Sequence, residues 1–309
     1  MELSYLLMNE IIQLFLILLI GFVIVKTKIL KEKDSKVISI LVLYACVPCA
    51  LINAFSVKMD KETLLGLGLA FAAAIVIHII YIPLGKFFAK IFHFTDVERM
   101  TLIYSNSGNL ILPLVSAVLG NEWVIYSSAF MVTQTVLFWT HCKSVISREN
   151  SLDFKSIFCN VGIISVFVGM TIFVFQIQLP DLILNVSSKI GSMMGPLSMM
   201  VIGMLFGNMD LKKVFSNKRA YLVTFFRLFV FPLVAIVLFK CTPITQITEH
   251  AEQILLITTM ATTAPAATTI TQFAQLYDNE PNYASALNVI TVTFSILTMP
   301  LMIALYTLI

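Results

Sequence analysis

Apolar runs of about twenty residues recur along the chain, each bounded by charge or by Gly, Pro, Asn and Asp. A helix rises 1.5 Å per residue, so a run of about 20 residues crosses a roughly 30 Å hydrocarbon core. The pattern predicts an all-α integral membrane protein of ten transmembrane helices. The spans are read at 5–25, 37–57, 63–85, 100–119 and 123–142, then at 157–175, 190–207, 221–239, 254–273 and 284–308. The seventh and ninth carry Gly-Ser-Met-Met-Gly-Pro and Thr-Thr-Ala-Pro-Ala-Ala-Thr-Thr. Small and hydroxylated residues of this kind suit contact with protein or a cavity better than contact with lipid.

Proline inside a span removes a backbone donor and kinks or breaks the helix, so its placement organises the chain. Pro48, Pro83 and Pro113 are followed at offsets of 148, 149 and 152 residues by Pro196, Pro232 and Pro265. Each falls in the second, third or fourth span of its half. His78 precedes Pro83 by five positions, as Arg227 precedes Pro232. The expectation is two five-helix repeats, 1–150 and 151–309. Five is odd, so the second copy enters the membrane from the opposite side, the inverted repeat common in secondary transporters.

Composition and charge add orientation and exclude other classes. Of 309 residues, 59% are hydrophobic and 12% charged, against about 25% charged in soluble domains, which leaves no room for a large soluble catalytic domain. Fifteen of the 20 Lys and Arg lie in the connections after spans one, three, five and seven. The positive-inside rule then places the odd-numbered connections in the cytoplasm and both termini outside a cell membrane. Without a basic n-region or cleavage site, the first span is expected to be retained. Basic runs lack aromatic interleaving, so nucleic acid is not an expected partner; the lipid bilayer is. Five scattered cysteines make no disulfide framework, and the Cys46–Cys49 pair lies inside a span, where packing explains it.

Chemistry concentrates in spans four and nine. Span four holds Asn106, Asn109 and Pro113; span nine holds Thr262, Thr263, Pro265, Thr268 and Thr269. Asn, Ser, Thr and Gly weaken a helix interior, and Pro suits the first turn of a new helix. Both spans are therefore expected to break, with second half-helices starting near Pro113 and Pro265 and their N-termini facing each other. Each N-terminus carries about half a positive charge and unpaired N–H donors, so together they form an anion site. These eight residues are the expected substrate-binding set. Arg227, His78 and Gln134 are candidate coupling or pathway residues; for Arg227, a snorkelled or structural cation is the alternative. Pro48 and Pro196 are expected helix-breaking positions. No HExxH, embedded acidic pair or Ser/His arrangement is present, so neither an enzyme nor a metal or other cofactor is expected.

The run Asn106-Ser-Gly-Asn-Leu-Ile-Leu-Pro113-Leu-Val with Gly120 resembles the fourth span of the auxin efflux carrier family. Tyr44-Ala-Cys-Val-Pro48 resembles its second span, Gly195-Pro196 with Ile202-Gly203-Met204 its seventh, and Pro265 with Phe273-Ala274 and Tyr277 its ninth. The resemblance runs from about residue 5 to the C-terminus. It implies a compact, prokaryotic-type carrier of small organic anions, partnered by a second copy of itself in a homodimer, with a scaffold and a transport domain whose fourth and ninth helices cross. The short connection 143–156, Thr269 where bacterial relatives often carry Asn, and Asn160-Val161 in place of Asn-Pro point away from auxin. Malonate, malate or lactate, or else an auxin-like acid, is the substrate type the resemblance implies, moved by efflux or exchange. The alternatives are a sodium-coupled symporter of the related bile-acid type and a non-transporting membrane sensor.

Overall fold

The computed structural model describes residues 2–149 and 154–309 and is helical throughout, with one isolated two-residue β-bridge. Six helical stretches are long and apolar enough to cross a bilayer: Met8–Lys26, Glu32–Phe55, Lys61–Phe92, Asp181–Gly207, Lys218–Lys240 and Pro281–Leu308. The other four expected spans fall on shorter pieces. Span four becomes Asp96–Ile103 followed, after a break, by Ser107–Val118; span nine becomes Ala251–Thr263 and Thr268–Leu276. Span six is Val161–Val174, and span five opens with Val124–Leu137.

Where bounds differ from the sequence reading, the cause is local. The seventh helix begins at Asp181, nine residues before its expected start, because Asn185, Ser187 and Lys189 read as loop although the helix takes all three, with Asn185 and Lys189 on its exposed side and Ser187 buried on the other. Three prolines widen their helices instead of ending them. Pro48, Pro113 and Pro232 each follow a π turn, at Val42–Cys46, Ser107–Ile111 and Phe226–Val230. A proline ring clashes with the carbonyl four residues back, and a wider turn moves that carbonyl aside. Glu32–Phe55 thus continues through Pro48, whereas Pro196 lies just past a one-residue interruption at Met193.

By packing, the helices form two groups. Glu2–Lys26, Glu32–Phe55, Val161–Val174 and Asp181–Gly207 pack on one another; the other helices, the broken ones included, form the second group. The first group is joined through glycine. A Cβ at Gly203 would collide with the Leu18 carbonyl, and one at Gly21 with the Met200 carbonyl, so these backbones touch directly. Leu16, Ile20, Val23, Phe167, Leu297 and Leu301 are exposed on the outer helix faces, an apolar surface that fits a lipid solvent.

Candidate functional site: a crossing of two broken helices

The first break runs from Tyr104 to Asn106 and the second from Ala264 to Ala267. The two extended segments meet as an antiparallel bridge centred on Ser105 and Ala266. Asn106 N–H donates to the Pro265 carbonyl at 2.9 Å, and Ala267 N–H donates to the Tyr104 carbonyl at 3.2 Å. Backbone this deep in a bilayer must be satisfied by protein, and the two central residues are satisfied by side chains. Gln134 Oε1 accepts from Ser105 N–H at 3.0 Å, while its Nε2 donates to the Ser105 carbonyl at 2.6 Å and to Ser107 Oγ at 2.9 Å. On the other side Thr291 Oγ1 accepts from Ala266 N–H at 3.2 Å, and Asn288 Nδ2 donates to the Ala266 carbonyl at 3.0 Å.

The second half-helices start at Ser107 and Thr268, not at the prolines. Pro265 lies in the extended crossing itself, whereas Pro113 sits well past the start of its half-helix, against Gly195, where an added Cβ would come within 2.9 Å of the ring. The bridge pairs Tyr104 with Ala267 and Asn106 with Pro265, so Pro113 and Pro265 do not occupy matching places. Chain-breaking in span four comes from Ser105 and Asn106, which carry no proline.

A cavity of about 1330 Å³ lies between the two helix groups. Its inner wall includes Asn106, Asn109, Gln134, Thr268, Thr269 and Asn288. The charged residues that line it, Glu32, Lys36, Asp210 and Lys213, sit at its mouth, in or next to the basic connections 26–36 and 208–220. Among the described residues, none from connections 58–62, 120–122, 176–189 or 240–253 lines it. The connection residues that line the cavity therefore all come from the basic side. At its inner end the first N–H groups of both second half-helices lack intrahelical acceptors, and Asn106 Nδ2 is buried without a partner.

The remaining expected residues lie elsewhere. Thr262 and Thr263 are buried, with hydroxyls bonded to the Thr259 and Met260 carbonyls of their own helix at 2.7 and 2.8 Å. His78 donates from Nδ1 to the Ala74 carbonyl at 2.7 Å and packs on Tyr104 and Phe130. Arg227 does not snorkel and does not reach the cavity: it is 0% exposed and donates to the Leu102 and Ala264 carbonyls at 3.3 and 2.7 Å. Sequence reasoning passed over Asn288 and Thr291. A signal was present, because Asn288 follows Gln134 by 154 residues, close to the proline offsets.

At the basic end a polar cluster ties three spans together. Glu98, fully buried and two residues ahead of span four, takes two bonds from Arg219, at 2.6 and 2.8 Å, and one from the Tyr283 hydroxyl at 2.7 Å. Thr95 N–H adds a fourth at 2.7 Å in a capping box. Burial pushes the Glu98 carboxyl up, but the bonds from Arg219, Tyr283 and Thr95 outweigh it and hold it below the usual carboxylate range.

Among curated proteins none matches the chain. The membrane transport protein family matches it over residues 6–156 and 150–303. With nearly the whole chain matched and broken helices crossing beside a cavity, the protein belongs to the membrane transport protein family, which includes the auxin efflux carriers.

Proposed function

We propose that the protein is a secondary carrier of small organic anions, carboxylates of the malonate, malate or lactate type, and not an enzyme. The carrying observation is the inner end of the cavity, where the buried, unpartnered Nδ2 of Asn106 lies beside two half-helix N-termini. The charged lining residues stay at the mouth, so an anion held there would be recognised by backbone dipoles and amides. Asn109, Thr268 and Thr269 supply further polar atoms on the same wall.

The proposed frame is ten spans in two inverted repeats, 1–150 and 151–309. It is supported by the antiparallel bridge and by the parallel roles of Gln134 and Asn288 on either side of it. With the basic connections in the cytoplasm, this conformation faces inward. On the opposite side, contact of Pro113 with Gly195 fits a closed outer route. A cavity between two helix groups suits alternating access by movement of one group past the other.

Proteoliposomes holding purified protein should exchange radiolabelled malonate, malate or lactate, and Asn106→Ala should reduce that flux at least about tenfold, the scale of one lost charge-assisted hydrogen bond. Its melting temperature should stay near wild type, because Asn106 Nδ2 holds nothing in the folded protein. Normal flux in the variant would remove the site.

A further inference from the structure

Resting on the carrier reading, we propose that Arg227 is a tethered counter-cation for the crossing: its guanidinium fills the place where a mobile coupling cation would bind, so the crossing needs no sodium. Each half-helix C-terminus carries about half a negative charge. In carriers with discontinuous helices, those carbonyl ends are where a coupling cation is coordinated. Here the C-termini of Asp96–Ile103 and Ala251–Thr263 meet at one point.

The break strips carbonyls of their donors. In a continuous helix Leu102 would accept from Asn106 N–H, but that group is committed to Pro265. Ala264 is extended, with φ −63° and ψ 152°, so its carbonyl leaves the helical ladder. Arg227 takes both carbonyls, through Nη1 and Nη2. Among the described residues no carboxylate pairs with it, which leaves the two helix ends as its counter-charge. Hydroxyls that could complete a shell for a small metal cation are turned away: those of Thr262 and Thr263 bond their own helix, and that of Tyr81 donates to the Phe231 carbonyl at 2.5 Å. Arg227 is thus a positioning residue. It holds both half-helices from behind while the anion side of the crossing faces the cavity.

The test is thermal unfolding of full-length purified protein in sodium-free buffer, with choline as the reference cation. Arg227→Ala should melt about 5 to 10 °C lower than wild type, for two orphaned carbonyls. Millimolar guanidinium or sodium should restore about half of that loss by mass action, whereas wild type should respond to neither. Arg227→Lys, which keeps the charge, should melt above Arg227→Gln and ignore sodium; this pair decides the matter if the alanine variant cannot be purified. Sodium stabilisation of the wild type, failure of both cations to restore Arg227→Ala, or Gln melting above Lys would overturn the assignment. Melting is read without substrate, so protein that moves no carboxylate yet shows the rescue contradicts the transport reading alone.

Discussion

Ser105 and Ala266 each sit at the middle of a chain break, and side chains from other helices satisfy the backbone of both. Gln134 suits the first because a primary amide offers donor and acceptor together, and it uses both on one residue. Asn288 and Thr291 divide the same task for Ala266. Gln134→Leu should therefore orphan one buried N–H and one buried C=O and cost about 2–4 kcal/mol; Asn288→Leu orphans one carbonyl and should cost about 1–3 kcal/mol. Melting of the purified variants checks both, and Gln134→Leu melting like wild type would contradict the bracing role. Gln134 was visible in the sequence as the one amide side chain within an otherwise largely apolar span, between Thr133 and Thr135. Its partner was not, because Ser105 is one of several small polar residues and nothing in the spacing says which one stands at the break. Arg227 was equally visible as a buried charge, but its acceptors are carbonyls, which every residue carries.

Spans as elements were largely legible, since an apolar run of about twenty residues has few alternatives. Where each broken helix restarts was not. Pro113 and Pro265 are similar in sequence but differ in setting: one follows a π turn in a helix already begun, the other lies in the extended crossing. A proline tolerates either, because both spare it the carbonyl four residues back. Glycine separates the two kinds of helix surface more sharply. Gly203→Ala should force Glu2–Lys26 and Met194–Gly207 apart and cost about 1–3 kcal/mol. Gly68→Ala, in a helix interior with open space around its Cβ position, should raise stability by about 0.5–1 kcal/mol. Thermal unfolding of the pair under one detergent condition tests this, and equal shifts would contradict the close backbone contact.

On the scale of the whole molecule, two helix groups enclose a cavity that opens on the basic face, and the cluster at Glu98 secures that face of the second group. A carboxyl held below its unfolded value of about 4.3 adds stability that is complete above that value and is lost as pH falls through it toward the folded value. Melting of wild type should thus drop on acidification below about pH 4.5 more than that of Glu98→Gln. Native cysteines report the proposed orientation: Cys159 is exposed on the basic side and Cys241 on the other. An impermeant thiol reagent should label Cys241 in intact cells and Cys159 only in inverted vesicles; the reverse would invert the topology. Charge distribution carries the proposed orientation in the sequence itself, whereas the cavity was not legible there, because it forms between residues far apart in sequence. The most direct test of anion recognition by the crossing compares malonate with malonamide as ligands of the purified wild type. The two are similar in size and differ in charge, so malonate should raise the melting temperature in a saturable way and malonamide should not. Equal stabilisation by both, or a preference for the amide, would contradict an anion site built from helix N-termini.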